Sequence, residues 1–185
     1  RFETFSICRR KYYYTYYGKF DPDLSRRKID MLKTMTTLPL EVGNIVHDIQ
    51  KVLLQRLKKT SEDIDREKYF DFVSRKTEAY CRSKQFAEVY YGELESIDFR
   101  QVYDQVKTCL ENFLESQRYR WLIEQAVKEH GEWIIEPLGF GETRIDGLKA
   151  YCKVDFLLPY QGTYYILDWK TGKENEDKHR AQLVG

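Results

Sequence analysis

The order of hydrophobic periodicities along the chain predicts an α/β fold with helices on both faces of a small sheet. Over the first two thirds, apolar residues recur at helical spacing, and from Glu132 the pattern changes to short strands. A final helix is expected from about Asn175.

Each element has its own signal. RFETFSICRRKYYYTYYGKF reads as a short helix, with Phe2, Phe5, Tyr12 and Tyr16 near helical spacing and Gly18 as a stop. Asp21 to Pro39 is polar and proline-containing, a loop with a short helix. Leu40 to Lys59 carries the stripe Val42, Ile45, Val46, Ile49, Val52 and Leu53. Asp65 to about Val89 and Ile97 to about Glu129 repeat that pattern through Tyr69, Phe72, Val73, Tyr80 and through Val102, Val106, Leu110, Phe113, Leu114. WIIEPLGFGE is a strand candidate. AYCKVDFLLPYQGTYYILDWKTG, from Ala150, places two apolar and aromatic runs around Pro-Tyr-Gln-Gly, the pattern of a β-hairpin. Neither an internal repeat nor a low-complexity segment is visible.

The hairpin carries chemistry. If the turn centres between Gln161 and Gly162, Phe156 faces Leu167, Leu158 faces Tyr165, Val154 faces Trp169, and Asp155 faces Asp168. Cys152, Val154, Phe156, Leu158, Tyr165, Leu167 and Trp169 then share an apolar face, and Lys153, Asp155, Asp168 and Lys170 the other. Directly opposed Cβ atoms lie about 4.5–5.5 Å apart, so two facing carboxylates require a cation or a shared proton. Either a metal site or a solvent-facing strand pair with diagonal salt bridges satisfies this pattern; the like-on-like pairing speaks for the metal.

Composition bounds the reading. With 185 residues and 42% hydrophobic content, the chain suffices for one well-cored domain, a helical part over about 1–130 and a sheet-bearing core over about 131–185. It begins at Arg1 and ends at Gly185 inside an amphipathic run, so it is expected to be part of a longer polypeptide, cut short at its C-terminus. Neither a signal peptide nor a membrane-spanning apolar stretch is present, and a soluble, cytoplasmic protein without a membrane partner is expected. Cys8, Cys81, Cys109 and Cys152 are scattered, without CxxC pairs, and read as reduced thiols. Net charge is +1, but Arg1 to Lys59 holds 13 Lys/Arg against 6 Asp/Glu, and Thr60 to Glu136 holds 11 against 17. A basic segment interleaved with tyrosines suits a polyanion.

The motifs follow one another in an order that resembles the PD-(D/E)XK nuclease superfamily, and within it the RecB-like group shared by recombination nucleases and CRISPR-associated exonucleases. The matching residues are GxxxH at Gly43 to His47, Glu136 before the hairpin, Val154-Asp155, DWKTGK at Asp168 to Lys173, and Gln182-Leu183. The opening FETFSICRRKYYYTYY is also similar to that group's N-terminal segment. The resemblance implies a restriction-endonuclease-like α/β/α core with a small central mixed sheet, after a largely helical N-terminal two thirds.

It also implies roles. Asp155 and Asp168 are expected to bind Mg²⁺ or Mn²⁺ with the Trp169 backbone carbonyl, and His47 and Glu136 to add ligands. Lys170 orients or deprotonates the attacking water or stabilises charge on the phosphate, the second being favoured beside carboxylates; an ion pair with Asp155 is the bland alternative. Gln182 reaches the site from the last helix. Arg9, Arg10, Lys11, Lys173 and Arg180 are candidate nucleic-acid contacts, with the tyrosines from Tyr12 to Tyr17 forming either a stacking groove or a core helix face. Some members hold an iron–sulfur cluster; Cys8 occupies the early position, but no later cysteine cluster lies in the chain, so no Fe–S site is expected.

The expected function is a metal-dependent DNA nuclease, an exonuclease by preference, that hydrolyses phosphodiesters by metal-activated water in DNA repair, recombination or phage and mobile-element processes. Single strands or ends are the favoured DNA, and protein partners in a repair or recombination complex are a further expectation. The alternatives are a non-catalytic DNA-binding or scaffolding module with the nuclease fold, and a metal-dependent phosphohydrolase of small molecules.

Overall fold

The structure is a computed structural model and describes residues 2–60, 62–124, 132–137, 141–145, 147–152 and 154–172. The chain forms two compact units. One contains Arg1–Leu38 and Ser83–Ile97; the other contains Pro39–Arg82 and Asp98–Gly185. The helical part therefore contributes to both.

In the first unit, the expected N-terminal helix is two helices, α1 (Phe2–Ile7) and α2 (Arg9–Tyr16). Cys8 divides them because its backbone is extended and its Sγ accepts the Lys11 N–H at 3.4 Å, which starts a new helix. After a 3₁₀ turn, Gly18–Phe20, comes α3 (Arg26–Thr34), capped by Ser25 Oγ accepting from Lys28 N–H. A parallel bridge joins Thr36 to Phe86, just before the short α6 (Ala87–Tyr90).

The second unit holds the main core. Its longest helix, α4 (Leu38–Leu57), buries Val42, Ile45, Val46, Ile49, Leu53, Leu54 and Leu57, nearly the stripe that the sequence shows. Val52 is the exception, at 44% exposure. Helix α5 (Arg66–Ser83) buries Tyr69 and Val73. The segment expected to be helical from Ile97 to Glu129 is broken. Helix α7 (Phe99–Glu115) ends where Ser116 Oγ donates to the Phe113 carbonyl at 2.6 Å and accepts the Tyr119 N–H at 3.1 Å, opening α8 (Gln117–Glu124).

The strands form a three-stranded sheet in the order β1-β4-β5, β1 being Ile134–Ile135, β4 Phe156–Tyr160 and β5 Thr163–Leu167. Both pairings are antiparallel, and β4 meets β5 in the expected register, with Phe156 opposite Leu167 and Leu158 opposite Tyr165. Phe156 and Leu158 are fully buried, whereas Tyr165 is 42% exposed and lies against Trp121 of α8 at 5.2 Å. Pro159 is tolerated in this middle strand because the two-residue turn makes Tyr160–Thr163 the hydrogen-bonded pair and Pro159–Tyr164 a non-hydrogen-bonded one, while on the other side β1 pairs only with Phe156 and Leu157.

One expectation is corrected here. The first hairpin strand does not run unbroken from Ala150 to Leu158: β3 (Leu148–Cys152) pairs instead with β2 (Gly141–Ile145) as a separate antiparallel hairpin. Gly147, at φ 78°, supplies the left-handed turn between them. The chain thus changes partner between Cys152 and Phe156. Ladder pairing of β4 with β5 stops at Phe156–Leu167, one residue short of Asp155 and Asp168. The helix expected from Asn175 lies outside the described residues, as does Lys153.

The β4–β5 turn has positive φ at both central residues, Gln161 at 49° and Gly162 at 75°, as a two-residue primed turn requires. Gln161→Asn is expected to stabilise the protein by about 0.5 kcal/mol, since Asn tolerates this region better. Gly162→Ala is expected to cost about 1–2 kcal/mol. Urea melts of the two variants check the pair, and the opposite order of stabilities would contradict the turn assignment.

Candidate metal centre

A helix, a strand end and a strand start meet at one point of the second unit. His47 projects from α4, Glu136 follows β1, and Asp155 precedes β4; one ligand atom from each lies within 4.8 Å of the others. Among the described residues this is the one group of three His, Cys, Asp or Glu side chains so arranged.

Local structure explains why they converge. Gly43 and His47 are one helical turn apart on α4, hence on one face. A Cβ on Gly43 would stand 3.3 Å from Thr171 Oγ1, so the glycine lets the chain after β5 run close along the helix. His47 Nε2 donates to the Trp169 carbonyl at 3.2 Å in the same stretch. The Trp169 ring is anchored on Phe113 of α7, centroids 5.0 Å apart. GxxxH is therefore a packing motif as well as a chemical one.

Asp155 is tied on every side. Its carbonyl accepts the Glu136 N–H at 2.9 Å, its Oδ2 accepts the Trp169 N–H at 2.9 Å, and its Oδ1 lies 3.5 Å from His47 Nδ1. Glu136 Oε1 lies 3.8 Å from the same nitrogen, and Glu136 Oε2 lies 3.3 Å from Lys51 Nζ. The Glu136 and Asp155 side chains are 12% and 13% exposed, against 30% for His47. Glu136 also has a left-handed backbone, φ 35°, which costs a side-chain-bearing residue about 1–2 kcal/mol. Pro137 behind it narrows the choice further. Strain of this kind persists only where surrounding contacts enforce it; here the Asp155 carbonyl and Lys51 do so.

Charge in the cluster is balanced by the protein's own cations. Burial, the largest single effect on Asp155, pushes its carboxyl up. Hydrogen bonds from His47 and the Trp169 N–H, with the charges of His47 and Lys170, outweigh it and hold Asp155 below the usual carboxylate range. His47 is raised, first by its hydrogen bond to Asp155, against burial, and further by the Asp155 and Glu136 charges and the Trp169 carbonyl. With Nε2–H committed to that carbonyl, loss of the Nδ1 proton leaves a lone pair beside both carboxylates. One imidazole nitrogen and two partly buried carboxylate oxygens fit a divalent cation.

The other candidates fall elsewhere. Asp168 forms an ion pair with Lys170 and is not in the three-residue group. Lys170 thus meets Asp168 directly, while its charge still acts on Asp155. The Trp169 carbonyl borders the cluster through His47. Arg9, Arg10 and Lys11 are exposed on α2, in the other unit. Lys173, Arg180 and Gln182 lie outside the described residues. Sequence reasoning missed Lys51, which stands one turn beyond His47, so the series Gly43, His47, Lys51 was the available signal.

The family model described as the PD-(D/E)XK nuclease superfamily matches residues 1–184. No curated protein and no solved structure matches the chain.

Two outcomes test this geometry. Glu136→Gly and Glu136→Ala both remove the carboxylate, but the glycine variant is expected to be more stable by about 1 kcal/mol, because only glycine adopts the left-handed backbone freely. Equal urea stabilities would refute the strain. In EDTA, His47→Gln is expected to destabilise more near pH ~5.5 than near pH ~8.5. A raised histidine stabilises below its unfolded value and loses that contribution as pH rises through the folded one, while Asp155, lowered, remains ionised at both pH values. A difference independent of pH would exclude the His47–Asp155 interaction.

Proposed function

Because the chain belongs to the PD-(D/E)XK nuclease superfamily, we propose that it is a DNA nuclease dependent on Mg²⁺ or Mn²⁺. We infer an exonuclease acting on single strands or ends in repair, recombination or mobile-element processing. The superfamily implies a hydrolase of phosphodiesters that uses divalent metals. The observation that supports the metal dependence is the convergence of His47, Glu136 and Asp155; the preference for an exonuclease rests on the family resemblance.

In this reading those three residues hold the metal, and Asp168 and Lys170 are the acid and lysine of the family motif. When bound, the cation supplies Lewis-acid activation of the nucleophile and neutralises phosphate charge. The chain's own groups do the rest. Trp169 fixes the His47 ring through its carbonyl and the Asp155 carboxylate through its N–H, so two side chains are oriented by the backbone of one residue. Lys51 holds one Glu136 oxygen and leaves the other toward His47. Lys170 contributes positive charge for the phosphate, and its ion pair with Asp168 holds that ammonium in place. The resemblance also assigns a catalytic part to Gln182. None of the described helices is long and apolar enough to cross a membrane.

Labelled single- and double-stranded DNA incubated with Mg²⁺, Mn²⁺ or EDTA tests the proposal. Cleavage is expected with metal alone and should fall at least about 100-fold in Asp155→Ala, Asp168→Ala and Lys170→Ala, the loss of one electrostatic contribution to catalysis. Persistent cleavage in EDTA or in Asp155→Ala would remove the site assignment, and binding without cleavage would favour a scaffolding module.

A further inference from the structure

Within the first unit, α2 and α3 border an open cleft of about 680 Å³, a size inside the ~300–1,000 Å³ range of ligand sites. Arg10 and Lys11 line it from α2, Lys28 and Lys33 from α3, and none of the described lining residues is acidic. All four cations are exposed. Of the acids in this stretch, Asp21 accepts from the Tyr13 hydroxyl at 2.6 Å and from the Asp23 N–H at 3.0 Å, and Asp23 and Asp30 are exposed and not among the described lining residues.

Between the cations the wall is apolar and aromatic. Leu32 is 39% exposed, Met35 and Tyr14 are half-buried, and the Arg10 guanidinium stands 5.7 Å from the Tyr14 ring centre. The two sides are locked together at Gly18, where a Cβ would stand 3.0 Å from Ile29 Cδ1 and 3.4 Å from Tyr14. A solvated basic helix face needs neither a cleft nor exposed leucine between its lysines. Cations interleaved with a ring and apolar side chains match a ligand that is both polyanionic and flat-faced.

We propose that this cleft binds a single-stranded nucleic acid, with phosphates on Arg10, Lys11, Lys28 and Lys33 and a base against Tyr14 and Leu32. The choice of nucleic acid over another polyanion rests on the nuclease reading; the cationic and apolar lining does not. Lys28 and Lys33 carried no motif, and it is the fold of α3 onto α2 that brings them beside Arg10 and Lys11.

Fluorescence anisotropy of a labelled oligo-dT, measured with the whole chain in EDTA across a salt series, tests it. Each phosphate neutralised on a single strand contributes about 0.7 to the slope of log affinity against log salt. Lys28→Ala with Lys33→Ala should lower that slope by about 1.4 and weaken binding at least about fivefold at low salt. Tyr14→Leu should weaken binding about tenfold with little change in slope. Thermal melts check that the variants fold, and a Lys28→Gln, Lys33→Gln pair provides the same charge removal with a different side chain. Unchanged slope and affinity in both lysine pairs would overturn the proposal, as would equal competition by poly-glutamate. The two readings fail separately: cleavage by Asp155→Ala defeats the nuclease site alone, and unaltered binding by the lysine pairs in an otherwise cleaving protein defeats the cleft alone.

Discussion

Asp155 is the residue on which the second unit's sheet and its charged cluster both depend. Its carbonyl holds the backbone of Glu136, one carboxylate oxygen holds the backbone of Trp169, and the other faces His47. Three chain segments and α4 are thereby joined at one residue. A charged acceptor bonded to a backbone N–H is among the stronger interactions available in a partly buried place. Asparagine here would keep the shape but lose the charge that draws His47 in. The same residue marks the point where the chain leaves the β2–β3 hairpin and enters the three-stranded sheet.

Electrostatics follow from that knot. Facing carboxylates repel, and the fold assigns a cation near each: His47 to Asp155, Lys51 to Glu136, Lys170 to Asp168. Each carboxylate thus has a cation of the protein beside it, and the cluster still offers oxygens and a nitrogen that a divalent ion can take. A metal entering must compete with the His47 proton, so affinity and protonation are coupled. The strained Glu136 backbone belongs to the same logic, since contacts at the cluster hold a conformation that the chain would not choose alone.

Much of this was legible in residue order. Gln161-Gly162 placed the turn, and with it the register of Phe156 on Leu167, because a two-residue loop leaves no other alignment. The buried stripe of α4 was visible for the same reason: period 3.6 is local. What local patterns could not show were the interruptions. Cys8 breaks a helix through one side-chain hydrogen bond and Ser116 through two, and both residues are compatible with continuing them. The β2–β3 hairpin competed with β4 for the Ala150–Cys152 run, and an apolar run does not state its partner.

The sequence by itself determined the family, the α/β order, the hairpin register and the residue types for metal chemistry, because these reside in short-range spacing and motif order. Tertiary structure decided which of those residues meet. It put His47 and Glu136 beside Asp155, paired Asp168 with Lys170, recruited Lys51, and set two lysines of α3 facing the basic end of α2. Such meetings depend on how a helix lies against a strand end or another helix, and that follows from packing of side chains distant in the chain, which no local period encodes.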